Sequence, residues 1–158
     1  MKKKLIFFLT LSHGAILVIG VGLGIYLLPI LTAPKPSSLK AIEKIENNAL
    51  YKAEFIKNLK GSDLFHWGEA KVTVTESKIT VNGKIAPGPD YKLYLTNQFV
   101  ETEKEFLSIK QSAQFVGDIK TFRNFIVRVP SQINIKNYNT IVIWCEAFNE
   151  FITSTKYR

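Results

Sequence analysis

The chain opens on an unbroken apolar run. From Leu5 to Leu31 there is no Lys, Arg, Asp or Glu, and the only side chain that titrates near neutral pH is His13. About 20 apolar residues in a helix cross the roughly 30 Å hydrocarbon core of a bilayer. A helix suits that medium because it satisfies its own backbone hydrogen bonds. The pattern therefore predicts a transmembrane helix over residues 5–31. In Thr32-Ala33-Pro34-Lys35-Pro36-Ser37-Ser38 two prolines keep the chain extended, and Ser37 or Ser38 can cap a following helix. Leu39, Ile42, Ile45, Ala49, Ala53, Ile56 and Leu59 then recur at steps of three and four, one stripe of an amphipathic helix. That stripe predicts a helix from Leu39 to about residue 50. It extends on paper to Leu59, with Gly61 as the stop, although Leu50 to Ile56 also reads as the start of a strand.

Beyond Gly61 the period changes to two. Alternation marks Ala70–Thr75, Lys78–Val81, Tyr91–Thr96, Phe125–Val129, Thr140–Cys145 and Phe148–Thr153, with turn residues between them. The fold class expected is all-β. It is an antiparallel sandwich or barrel, preceded by a transmembrane helix and a short connecting amphipathic helix. The chain divides into a basic tip (1–4), an anchor (5–31), a linker with helix (32–54) and a β domain (55–158). Thr140–Cys145 is apolar on both faces, with Ile141, Ile143 and Cys145 on one and Val142 and Trp144 on the other. A strand covered on both sides belongs in the middle of the fold.

Charge adds direction. Lys2, Lys3 and Lys4 precede the apolar run. Basic residues at that place keep the N-terminus cytoplasmic and send the remainder across. A cleaved signal peptide is the competing reading, but its apolar core is usually 7–15 residues, and Leu31-Thr32-Ala33 is a poor cleavage site. The expectation is a single-pass protein with its C-terminal domain on the periplasmic or extracellular side, its bilayer contact being residues 5–31. The absence of an Asn-x-Ser/Thr sequon and of a second cysteine favours a bacterial inner membrane. Of the net charge of +8, the three leading lysines carry +3, and the surplus of about +5 beyond the anchor is spread as single charges, so nucleic acid is not an expected partner.

Chemistry-bearing residues are few. Cys145 is the only cysteine, so no internal disulfide forms, and its use lies in packing, redox chemistry or ligation. His66 is the only histidine outside the apolar run. One His and one Cys do not make a zinc site, and no metal is expected. A haem held by one thiolate or one imidazole is the cofactor chemistry the pair could serve. No Gly-x-Ser-x-Gly elbow occurs, so an electron-transfer or interaction module is a better reading than a hydrolase or transferase. Asp63, Asp90 and Asp118 read as loop residues. Gly20-Val21-Gly22-Leu23-Gly24 lies inside the apolar run, which suits close helix packing and rules out a nucleotide loop.

Four segments taken in order point to one family. They are Phe65-His66-Trp67-Gly68, then Gly88-Pro89-Asp90-Tyr91-Lys92-Leu93, then Phe115-Val116-Gly117-Asp118-Ile119 before Val129-Pro130, and last Val142-Ile143-Trp144-Cys145. Over about residues 55–158 this order resembles the DM13 domain, a proposed electron-transfer module of exported and cell-surface proteins. The resemblance implies a redox thiol or cofactor ligand at Cys145. Trp144 and Phe148 would shield one side of a site that His66 would share, and the redox or protein partner stays unnamed. The alternative is a binding or scaffold β domain in which Cys145 is a buried core residue.

Overall fold

The computed structural model describes residues 2–158. Helix α1 (Lys2–Thr32) runs 31 residues, with none of them buried. It is long and apolar enough to cross a membrane. Its polar side chains turn inward on the helix itself. Thr10 and Thr32 donate to carbonyls four residues back, and the His13 ring lies 2.7 Å from the Leu9 carbonyl. Such back-bonding hides polar atoms from an apolar medium.

Helix α2 (Leu39–Glu46) is capped by Ser38, whose hydroxyl accepts from the Ala41 N–H at 3.3 Å. Ile42 is its buried anchor, and the helix lies against sheet strands β3 (Lys78–Ile85) and β6 (Arg123–Arg128). The helix stops at Glu46, far short of Leu59. Asn47 and Asn48 turn the chain, the Leu50 N–H donates to the Val74 carbonyl, and β1 (Tyr51–Phe55) pairs antiparallel with β2 (Gly68–Val74). The stripe through Ala49, Ala53 and Ile56 misled because Tyr51, Ala53 and Phe55 also alternate with Lys52 and Glu54. The period of two is the one the sheet uses.

The remaining elements are β4 (Tyr91–Thr96), α3 (Glu103–Ile109), β5 (Gln114–Ile119), β7 (Thr140–Cys145) and β8 (Glu150–Lys156). They complete two four-stranded antiparallel sheets, ordered β1-β2-β3-β6 and β5-β4-β7-β8. The sheets share one core. Phe55, Val72, Val74, Ile79, Val81 and Phe125 come from the first, Leu93, Leu95, Ile141, Ile143 and Cys145 from the second. The edges approach one another, with β5 beside β6 and β1 beside β8. This is the face-to-face arrangement the alternating pattern implied.

Strand β7 is the inner strand that its two apolar faces required. It lies between β4 and β8, and all six residues are buried. Its second face, Val142 and Trp144, packs with Leu59, Val100, Phe106 and Phe151 under α3. Strand direction sorts the loops. The segments 56–67, 86–90, 120–122 and 146–149 leave the same ends of the two sheets, the ends near the C-terminus of α1.

Candidate functional site

Cys145 is the last residue of β7, opposite Tyr91 on β4 and Glu150 on β8. Two turns wall the sulfur in. The first is Gly88-Pro89-Asp90, and the thiol donates to the Pro89 carbonyl at 3.0 Å. Asp90 holds the left-handed backbone at φ 51°, and its carbonyl receives the Glu146 N–H at 3.1 Å, which ties this turn to the next. The second is the Glu146–Asn149 turn between β7 and β8, closed by Asn149 at φ 53°. Gly88 is required where it stands, because a Cβ there would come within 2.8 Å of the Tyr91 ring carbon that bears the hydroxyl.

The electrostatics of the thiol are a contest. Burial pushes the Cys145 thiol above its ordinary value, the backbone N–H groups of Ala147 and Phe148 pull it down, and the carboxylates of Asp90 and Glu150 push it up again. Burial wins, so the resting group is the protonated thiol. Only 2% of Cys145 is exposed, while Phe148 in the covering turn is 53% exposed. The sulfur therefore lies beneath an exposed turn, with its proton on the Pro89 carbonyl. Moving the covering turn would expose the thiol to water and ease its ionisation.

His66 sits elsewhere in the same loop layer. Asp63 organises it: one carboxylate oxygen accepts the Phe65 and His66 N–H groups at 2.7 and 2.8 Å, and the other lies 2.9 Å from the His66 ring. Burial raises the Asp63 pKa, but the His66 ring and these N–H donors outweigh it and hold the carboxyl below the usual range. No hydrogen bond joins His66 to Cys145 among the described residues; their partners are Asp63 and Pro89.

Trp144 points away from Cys145, as neighbouring strand residues do. It belongs to the cluster under α3, with the Phe106 ring centroid at 4.8 Å and Lys110 Nζ 5.0 Å over its face. Its buried indole N–H has no partner. The structure thus brings Cys145 together with neither His66 nor the Trp144 ring.

A polar network on this outer face carried no sequence signal of its own. Lys110 reaches Glu146 at 2.7 Å, and the Tyr94 hydroxyl donates to the same carboxylate. Burial pushes the Glu146 carboxyl up, but the hydrogen bonds from Lys110 and Tyr94 bring it below the usual range. Residues 94, 110 and 146 lie on three elements, so only the fold could reveal their meeting. A second network sits over the Cys145 turn, where Lys92 Nζ lies 2.8 Å from Asp90 and 2.7 Å from Asp118.

A haem does not fit at Cys145 in this geometry. The sulfur's hydrogen bond goes to Pro89, the recess outside is lined by Gly88, Pro89 and Asp90 without Cys145, and His66 is bound to Asp63. Among the described residues no three His, Cys, Asp or Glu side chains gather as a metal site.

These observations define a class: a two-sheet antiparallel β domain with one enclosed thiol at the loop end of an inner strand, carried behind a long apolar helix. The chain belongs to the DM13 electron-transfer family, whose model matches residues 60–157. No curated protein and no solved structure matches the chain at a significant level.

Proposed function

We propose that this protein is a membrane-anchored redox module in which Cys145 is the working group. Helix α1 would be the anchor, the lysine tip would stay cytoplasmic, and the β domain would stand on the periplasmic or extracellular side. Membership in an electron-transfer family supports a redox role. The observation that carries the assignment to Cys145 is its setting. The chain's only sulfur capable of thiolate chemistry lies at a strand end beneath two tied turns, hydrogen-bonded to the Pro89 carbonyl, and the backbone N–H groups of Ala147 and Phe148 favour its thiolate. The covering turns act as a gate. When they part, Cys145 gains solvent and loses its proton, and the Ala147 and Phe148 N–H groups stabilise the thiolate. With a partner disulfide the step is exchange. Cys145 Sγ attacks one sulfur, a new S–S bond forms, and the partner's second sulfur leaves as thiolate with the electron pair of the broken bond.

A second reading rests on the same burial. With 2% exposure and a raised pKa, Cys145 also suits a plain core residue of a scaffold domain. Maleimide labelling of the full chain in detergent separates the two. The redox reading expects slow native labelling at pH 8, accelerated at least about tenfold by Gly88→Ala, which pushes the Tyr91 ring and loosens the turn. It also expects a mixed disulfide to form with glutathione disulfide. A thiol that labels only after denaturation, in both proteins, would falsify the redox reading and leave the scaffold. A visible spectrum of the same preparation shows whether a coloured cofactor accompanies the chain.

A further inference from the structure

The end of the domain where α1 arrives has a character that Cys145 does not explain. About 20 residues span the hydrocarbon. A span that begins at Leu5 leaves it near Gly24, so Tyr26 to Thr32 stand at headgroup level. Tyrosine is at home at that depth. Tyr26 meets Phe65 edge to face, with ring centroids 6.2 Å apart. That contact sets the depth of the 63–66 loop. Leu64 and Phe65 at its tip are 81% and 55% exposed, although Asp63 fixes the backbone beneath them. Two large apolar side chains on a rigid turn beside an anchor have no reason to face bulk water.

Next to them, between the linker and the domain, runs a groove of about 490 Å³. Ile30, Trp67, Pro87 and Phe122 give it an apolar wall, and its cations are Lys35, Lys84 and Arg123. No acidic residue lines it. None of the three cations is in an ion pair among the described residues. Glu69 stands opposite Lys84 in the strand register without pairing to it. Apolar wall, unpaired cations and headgroup depth together match the chemistry of one occupant.

We propose that this end of the β domain is a lipid-contact surface that docks on the anionic leaflet holding its own anchor. Leu64 and Phe65 enter the interface, and Lys35, Lys84 and Arg123 take phospholipid phosphates at the groove. The inference rests on α1 spanning the bilayer. It has a consequence for Cys145, because Leu28, Pro29 and Thr32 share a recess with Gly88, Pro89 and Asp90. The turn over the thiol thus faces the membrane, and docking controls access to it.

The test uses the full chain, given one added cysteine by Leu64→Cys, Glu76→Cys or Ala15→Cys. Each is labelled with an environment-sensitive fluorophore in detergent and reconstituted into phosphatidylcholine vesicles with or without phosphatidylglycerol. The unsubstituted chain, treated alike, gives the background from Cys145. Position 15 should be quenched by deep doxyl lipids. Position 64 should be quenched by shallow ones, at least about twice as strongly with phosphatidylglycerol as without it. Position 76, on the β2–β3 turn at the far end of the domain, should be unaffected. Charge reversal of Lys35, Lys84 and Arg123 together should remove the phosphatidylglycerol dependence, as should high salt on the unreversed chain. If position 15 is quenched but position 64 behaves like 76, docking is wrong and the span stands. If position 15 escapes quenching, the span itself is wrong and docking goes with it. Quenching at 64 that ignores lipid charge would overturn the role of the three cations.

Discussion

At the scale of single residues, the thiol and the carboxylate beside it make opposite demands on pH. The Cys145 pKa is raised on folding, above the ordinary value of 9.0. The folded state therefore holds this proton longer than the unfolded state. Its contribution is intact below pH 9 and is lost as pH rises from there through the folded value. Chemical denaturation between about pH 9 and 10 should show stability falling as pH rises, with Cys145 giving up to about 1.4 kcal/mol per pH unit on top of the share from Tyr91, Tyr94 and Tyr157, which burial also raises on folding. Cys145→Ser should make that slope shallower, leaving the tyrosine share, and cost about 1–3 kcal/mol at neutral pH, because the hydroxyl is a stronger polar group in a tight site. Glu146 behaves in reverse. Its pKa is lowered below 4.5, so its stabilisation is full above that pH and fades as pH falls through the folded value. Glu146→Gln should cost about 1 kcal/mol near pH 7, and denaturation curves of the two proteins should converge in acid.

At the scale of elements, the bulge in β3 is the sharpest constraint. Gly83 takes φ 148°, its N–H donates to Asn124 Oδ1 at 2.9 Å, and a Cβ there would press into the Glu69 carbonyl and the Ala70 backbone. Gly83→Ala combines a backbone that L-residues avoid with a clash against backbone that cannot move aside. A loss of about 2–4 kcal/mol is expected, read as a shift in urea midpoint with an unchanged slope. A shift under about 0.5 kcal/mol would show that the strand re-registers without cost. Legibility in the sequence follows the same logic of local pattern against distant contact. Strands β2 and β4 were readable because they alternate and their ends carry turn residues, and β7 because a short run apolar on both faces reads as an inner strand. Strand β1 was ambiguous, since Tyr51, Ala53 and Phe55 overlap a helical stripe while Leu50 to Ile56 also reads as a strand. Strand β5 carries Gly117 and Asp118, which look like a turn until Leu93 is found opposite Gly117. Helix α3 did leave a signal in Thr102-Glu103-Lys104-Glu105. The Thr102 hydroxyl accepts the Glu105 N–H, and the Glu105 carboxylate accepts the Glu101 N–H. The position of Cys145 at a strand end was legible; its cover by the Gly88–Asp90 turn was not, because Pro89 and Cys145 lie 56 positions apart in the chain.

At the scale of the whole molecule, the orientation of the proposed anchor decides whether the thiol ever meets an oxidising compartment. Three lysines open α1, and the first charged residue after it is Lys35. The asymmetry is strong on the N-terminal side, since no acid lies within the first turn of α1. Dragging those charges across a membrane is costly, whereas the small β domain behind α1 can be translocated by the export machinery. The chain should therefore insert with Lys2–Lys4 cytoplasmic. In a bacterial host, protease added to spheroplasts should remove an epitope placed after Arg158 and spare one placed before Lys2. Replacing Lys2, Lys3 and Lys4 by Glu should raise the inverted fraction severalfold, since each cationic residue carries part of the orientation signal. Protection of the C-terminal epitope in the unaltered chain would put Cys145 in the reducing cytoplasm. There a lone thiol stays reduced, so exchange with a disulfide partner would lose its driving force.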